Sequence, residues 1–118
     1  MVLIAGLLAN SQVAAIIGTR IGTRLPASPT YPLIVASLVS DIPGQPWESR
    51  VRVQLDCWAA SEEGASALSR TVVAVHPSLR GTYSAGRLLN TSVLNRLWSP
   101  DPVNNQPRFL VDLGLVVA

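Results

Sequence analysis

Few side chains in this 118-residue chain are of the types that perform acid–base, nucleophilic or metal chemistry. His76 is the only histidine and Cys57 the only cysteine, and the seven carboxylates are spread along the chain. A nucleophile needs a base and an orienting group beside it, and a structural zinc site needs four nitrogen or sulfur ligands. We therefore predict that the chain has no catalytic residue, no cofactor and no metal site, and that it is not an enzyme.

The sequence also lacks the patterns that bind phosphate groups. The stretch GTRIGTR, residues 18–24, has neither the lysine of a P-loop nor the third glycine of a dinucleotide fingerprint. All nine basic residues are arginines, they are scattered, and the formal net charge is only +2. Duplex binding recruits several clustered phosphate contacts, so the sequence does not predict a nucleic-acid grip.

Composition favours a subunit of an assembly. Hydrophobic residues make up 48% of the chain and charged residues 14%, against about 25% in an average globular domain. An apolar surface in excess usually ends in an interface, and 118 residues fit one domain, residues 1–118. A lone cysteine allows no internal disulfide, which is typical of a reducing compartment. The apolar start, residues 1–9, is short for a membrane span and predicts a packed helix.

The remaining pattern predicts the elements that carry these residues. We expect a helix over 2–9, a second over 11–17 capped by Ser11 and ended by Gly18, and an irregular connection over 19–32. A buried strand follows over 33–40, then a proline-rich loop over 41–49. Residues 50–58 alternate cleanly, which predicts a strand with one apolar and one polar face.

A longer helix is predicted to begin after an N-cap at Ser61 and to end near His76, before Pro77. Its apolar stripe leaves Ser69 and Arg70 outside and comprises Ala65, Leu68, Val72, Val75 and Leu79. Strands over 86–98 and 108–117 flank a polar turn over 99–107, with Leu89, Thr91, Val93 and Leu97 on alternating positions of the first. The predicted fold is α+β, a mainly antiparallel sheet with one long amphipathic helix packed on a face and a short N-terminal helix.

Several stretches resemble a known family. A GTRI turn is followed by LPASPTYPLIVASLV and then by RVRVQLDCWAASEEGASALSRTVVAVHPSL. The Tyr31-Pro32 pair, the run Asp56-Cys57-Trp58, a small-residue helix and a closing strand over 109–116 make the chain similar to the tail-terminator or tail-completion proteins of long-tailed bacteriophages. The resemblance covers most of the chain.

The resemblance implies a structural role in the virion, with assembly in the host cytoplasm. Members of that family form rings, typically hexamers, on the head-proximal end of the tail tube, where they stop tube growth and present the head-joining surface. The implied partners are further copies of the chain, the tail tube protein and a head-completion or neck protein. DNA would pass through the ring as cargo, and no membrane is involved.

For a chain with this role, the candidate contact surfaces are the polar face of residues 50–58 and the loops 41–49 and 99–107. Tryptophan is enriched at binding hot spots, so Trp47 is the preferred anchor of the first loop. The candidate interface residues are Asp41, Gln45, Trp47, Glu48, Arg50, Arg52, Asp56, Trp98, Asp101, Asn104 and Asn105.

Three alternatives stay open on the sequence alone. The polar face of residues 50–58 is also typical of an ordinary solvated sheet face. The chain could be another ring-forming neck or head-closure protein. It could also be a small α+β ligand-binding domain or enzyme, with a pocket built from Tyr31, Asp56, His76 and Arg87.

Overall fold

The computed structural model describes residues 1–43 and 47–118, and it contains a six-stranded sheet with helices on one face. The α-helices are α1 Val2–Ala9, α2 Ser11–Ile17 and α3 Glu62–Val75, and a 3₁₀ turn, His76–Leu79, continues α3. The strands are β1 Ile21–Gly22, β2 Leu33–Pro43, β3 Ser49–Trp58, β4 Gly81–Tyr83, β5 Gly86–Trp98 and β6 Arg108–Val117.

The sheet has the order β1-β2-β3-β6-β5-β4. Only β1 and β2 are parallel, and the other neighbours are antiparallel, so the predicted α+β class with a mainly antiparallel sheet is confirmed. The sequence missed β1 and β4, because two or three residues are too few to show an alternation. The predicted loop 41–49 was too long, since β2 continues through Pro43 and β3 begins at Ser49.

One face of the sheet, here called the covered face, packs against all three α-helices. The inward residues of β3 and β6 alternate as the sequence predicts. The residues of β2, β3 and β6 that are at most 3% exposed on this face are Ile34, Ala36, Val53, Leu55, Cys57, Val111, Leu113 and Leu115. Leu68 and Val72 of α3 and Leu3 and Leu7 of α1 pack against them. This layer forms the main hydrophobic core of the protein.

The helix starts follow the chemistry of capping. The Ser61 hydroxyl accepts a hydrogen bond from the Gly64 amide at 3.0 Å, which confirms the predicted start of α3. The prediction for α2 was wrong by one residue. Asn10, not Ser11, is its N-cap, because the Asn10 side chain accepts from the amides of Gln12 and Val13 at 3.0 and 3.2 Å.

Two further predictions were wrong because tertiary contacts decide them. Ser69 was predicted to lie outside the buried stripe of α3, but it is fully buried. Its hydroxyl accepts a hydrogen bond from Arg96 of β5 at 2.7 Å, which a local pattern cannot show. In β5, bulges between Leu88 and Asn90 and between Val93 and Asn95 shift the alternation. Leu88 therefore lies in the core, whereas Leu97 pairs with Leu110 and is half exposed.

Candidate interaction surfaces

Charged side chains lie on the face of the sheet opposite the helices, here called the open face. Arg52 of β3 donates to Asp112 of β6 at 3.1 Å, an ion pair that joins two adjacent strands. The second carboxylate oxygen of Asp112, Oδ1, is buried and accepts no hydrogen bond from the described residues. Arg52 is therefore committed to a contact within its own chain.

Asp56 belongs to a second polar group on the open face. The Gln54 amide donates to its Oδ1 at 3.0 Å, and an Arg108 guanidinium nitrogen lies 3.8 Å from its Oδ2. Burial raises the pKa of the Asp56 carboxyl, the hydrogen bond from Gln54 and the charge of Arg108 lower it, and the charge of Asp112 adds to the rise. The guanidinium of Arg108 also stacks 4.9 Å from the ring centroid of Trp58.

The charged residues of β3 that the sequence grouped together therefore differ in their contacts. Arg52 and Asp56 are paired within the chain, while Arg50 is exposed and makes no ion pair among the described residues. Of the three, Arg50 is the one whose charge is available to a neighbouring molecule.

The three tryptophans have different surroundings. Trp58 is buried on the open face against Tyr31, with ring centroids 6.4 Å apart. Trp98 packs on Phe109 at 5.2 Å but stays partly exposed at the end of β5. Trp47 is 68% exposed, next to the start of β3. The structure therefore leaves Trp47 as the most accessible aromatic anchor of the three.

Three further candidate interface residues, Asp41, Gln45 and Glu48, belong to the predicted loop 41–49. Asp41 is exposed, but it lies within β2 and not in a loop. Glu48 is half-buried directly before β3. Gln45 lies outside the described residues.

The loop 99–107 is folded on itself. The Asp101 carboxylate accepts hydrogen bonds from the amides of Val103 and Asn104 at 2.7 and 3.3 Å, and Asn105 has a φ of 59°. Asn104 in turn accepts from the Gln106 amide at 3.0 Å. Asp101 therefore shapes the loop, and the exposed side chains that the loop presents are Pro102, Val103, Asn104 and Asn105.

The groups considered for chemistry lie apart. Cys57 is fully buried, and burial together with the nearby Asp56 charge raises the pKa of its thiol. His76 Nδ1 lies 2.8 Å from the Thr91 hydroxyl, which itself donates to the His76 carbonyl at 2.8 Å. Since that hydroxyl has one proton to donate, the ring nitrogen is the donor in this pair.

The residues of the alternative pocket do not converge on one cavity. Tyr31 and Asp56 belong to the open face, His76 continues α3, and Arg87 is exposed near the start of β5. No group of three or more potential metal ligands occurs among the described residues. In the same part of the chain, no helix has the length and apolar character needed to cross a membrane.

An apolar surface that the sequence did not predict lies on β2 and β5, the strands next to the short outermost strands β1 and β4. Half or more of each of five side chains is exposed there, and they are Leu38, Val39 and Ile42 of β2 and Leu94 and Leu97 of β5. A strand alternation predicts inward and outward residues, but it does not show which strand lies at an edge. The prediction of a buried strand over 33–40 was wrong for its second half, because the core contains Ile34 and Ala36 whereas Leu38 and Val39 are half or more exposed.

Comparisons with known proteins place this geometry in a family. The family model described as "Tail completion protein gp17" matches residues 1–117. The chain belongs to this family. Membership in the tail completion family makes the chain a structural protein of a bacteriophage tail, so the resemblance drawn from the sequence and the virion localisation are confirmed.

A solved structure has the same fold. It is a chain from the virion of a native gene transfer agent (GTA) particle, with a TM-score of 0.67 and 19% sequence identity. The match covers 98% of this chain and 90% of that chain. A search of curated proteins found no match.

Proposed function

We propose that copies of this chain form a ring, which we expect to be hexameric, on the head-proximal end of the tail tube. The ring ends tube polymerisation and provides the surface to which the head is joined. Residues 1–118 act in it as a single tail-terminator-like domain without catalytic activity. The observation that carries this proposal is membership in the tail completion family over residues 1–117.

The arrangement of the two candidate loops supports a subunit with two partners. Pro43 and Ser49, which flank the first connection, lie in the same row of the sheet as Val117. Trp98 and Phe109, next to the loop 99–107, lie in the row of Cys57 at the opposite end. A ring subunit needs such an arrangement, because one end must contact the tube and the other the head.

We assign the end with Trp47 to the tail tube protein and the loop 99–107 to the head-completion or neck protein. Trp47 is a large exposed aromatic residue close to prolines, which limit the entropy lost on binding. DNA passes through the lumen as cargo. Arg52, Arg96 and Arg108 are held in contacts within the chain, which leaves fewer charges to bind its phosphates.

The test is capping of isolated tail tubes, followed by electron microscopy. Trp47→Ala should fold and form rings but bind tube ends tenfold or more weakly, the loss expected of a hot-spot residue. The matched control is Val103→Ala in the loop 99–107, which should cap tubes normally and reduce head joining. A Trp47→Ala protein that caps tubes as well as the wild type would remove Trp47 as the anchor.

Binding experiments with the wild-type protein distinguish a tail terminator from a neck protein. Binding to tube ends and arrest of tube growth support a terminator. Binding to isolated head connectors with no binding to tubes would show a neck protein instead. A monomer that binds neither would contradict the proposed function as a whole.

A further inference from the structure

Both edges of the sheet have long stretches that no described strand covers. At one edge, β1 pairs only with Ile34 and Val35, so β2 has no outer partner from Ala36 to Pro43. At the other edge, β4 pairs only with residues 86–88, so β5 has no outer partner from Leu89 to Trp98. An uncovered strand presents a row of backbone N–H and C=O groups that can pair with another chain.

Each stretch has only part of the usual protection against association. Natural edge strands limit association through charged side chains, prolines, bulges or a covering element, and both stretches contain bulges but few charges. Residues 89–98 contain no proline and one charged residue, Arg96, whose guanidinium lies 4.2 Å from the Phe109 ring and bonds to Ser66 and Ser69 of α3. Residues 36–43 contain one charged residue, Asp41, and one proline, Pro43, at the end of the strand. The exposed side chains of both stretches are mainly apolar or small and polar.

The two uncovered stretches lie at the same level along the sheet, and their strands run in opposite directions. Leu38 of β2 lies in the same row as Val93 of β5, through Val53 and Leu113. The antiparallel pairings in between make β2 and β5 run in opposite directions. If a second copy is placed beside the first in the same orientation, its β5 therefore lies antiparallel to β2, which is the more stable way to pair strands.

The apolar side chains coincide with these stretches. Val39 and Leu94 both lie at bulges, in neighbouring rows of the sheet, and both are half exposed. Ile42 and Leu97 extend the apolar surface along each strand. Pairing would bury apolar side chains of both copies. It would also provide hydrogen-bond partners for the backbone N–H and C=O groups of both strands.

We infer that neighbouring copies of this chain join edge to edge, with β2 of one copy paired antiparallel with β5 of the next. This inference rests on the proposed ring and names the contact that builds it. The two edges are different surfaces, so the contact is head-to-tail, and a head-to-tail contact that closes produces a ring. The sheets of all subunits would then form one continuous band, held by backbone hydrogen bonds as in strand addition.

The experiment uses two full-length variants, each damaged at one edge. The first carries Val39→Asp and Ile42→Asp in β2, and the second carries Leu94→Asp and Leu97→Asp in β5. All four side chains are half or more exposed, so both variants should fold as the wild type does, checked by circular dichroism and thermal unfolding. Assembly is measured by native mass spectrometry and electron microscopy, with isolated tail tubes added.

We expect the wild type to form rings and each variant alone to stay monomeric. In an equimolar mixture, the intact β5 of the first variant can pair with the intact β2 of the second, which gives a two-copy species that does not grow. Val103→Asp is the control, because it makes the same chemical change at a 93% exposed apolar residue outside both strands and should preserve rings.

Other outcomes would overturn the inference. Rings formed by either variant would show that the subunit contact lies elsewhere, while the proposed ring would stand. Dimers formed by the second variant alone would show a symmetric β2–β2 contact. A wild-type protein that forms no ring even on tail tubes would contradict the proposed function itself.

A second measurement does not depend on the aspartate variants folding. The Val39→Cys, Leu94→Cys double variant, treated with a short bis-maleimide, should give a ladder of covalent species up to the ring size. Cys57 should not react, because it is fully buried with a raised thiol pKa. The Val39→Cys, Val103→Cys variant should give no ladder, and an equal ladder from both variants would contradict edge pairing.

Discussion

The covered and open faces of the sheet are built from alternate residues of the same strands but follow different rules. On the covered face, Val53, Leu55 and Leu113 are at most 1% exposed and pack on helices. On the open face, Arg52 and Asp112 form an ion pair across the strands, and Arg108 lies beside Asp56. The first face holds the fold together, and the second satisfies most of its own charges.

The difference between the faces shows where adhesion between molecules is expected. Charges that are paired within a chain have little left to offer a neighbour, and exposed pairs add little stability. The exposed apolar residues are concentrated on β2, β5 and the loops. Ile42 and Leu97 project on the open face, where their pairing partners are Arg50 and Leu110. We therefore expect neighbouring copies to contact β2 and β5 rather than the paired charges of the open face.

The largest effect is expected on the covered face. Leu113→Ala should lower the free energy of unfolding by about 2–5 kcal/mol, because Leu113 is fully buried and the helices cannot close the cavity completely. The matched control is Leu110→Ala on the open face of the same strand, where the half-buried side chain should cost clearly less. Denaturant unfolding of both variants measures the difference. Equal losses would show that the two faces do not differ in packing.

The next effect concerns Arg96 of β5, which lies on the covered face. Arg96 donates to the hydroxyls of Ser69 and Ser66 at 2.7 and 2.8 Å and so connects β5 to α3. Arg96→Ala should cost about 1.5–3 kcal/mol, the range for hydrogen bonds to a charged group. Arg96→Lys should recover only part of this, because an ammonium cannot reproduce the guanidinium fork. Full recovery in thermal unfolding would indicate that charge alone matters.

A smaller effect is expected for the ion pair on the open face. A double-mutant cycle with Arg52→Ala and Asp112→Ala should give a coupling of about 0.2–1 kcal/mol, because the Arg52 side chain is 48% exposed and screened by water. The coupling should fall further at high salt. A value above about 2 kcal/mol would mean that the open face stabilises the fold as a buried network does.

The smallest effect is expected at Asp56. Because burial raises the pKa of this carboxyl in the folded protein, the folded state binds its proton more tightly than the unfolded state. The charged form therefore costs stability at neutral pH, and this cost falls as the pH drops through the raised folded pKa toward the ordinary value.

Asp56→Asn should accordingly change the unfolding free energy by less than about 1 kcal/mol at pH 7, since the lost contact with Arg108 offsets the relieved burial. As the pH falls through that window, the wild type should gain stability relative to the variant. Unfolding curves at several pH values measure this, and a relative loss for the wild type on acidification would reverse the predicted sign.

Local patterns predicted the parts of the fold that local physics controls. The alternation of β3 and β6 and the apolar stripe of α3 each reflect one element with one buried side, and Ser61 caps its own helix. The candidate interface was predicted less well. Arg52 and Asp56 were grouped as free surface charges, but their partners lie 60 and 52 positions away in the chain.

The sequence by itself determined which residues of β3 and β6 face the helices, where α3 begins, and membership in a tail completion family. Each of these depends on spacing within a short segment or on motifs along the chain. Only the tertiary structure decided which charges pair, where the bulges of β2 and β5 fall, and which strands remain at the edges. The physical reason is that these features depend on strand order and register, and both are set by contacts between residues far apart in the sequence.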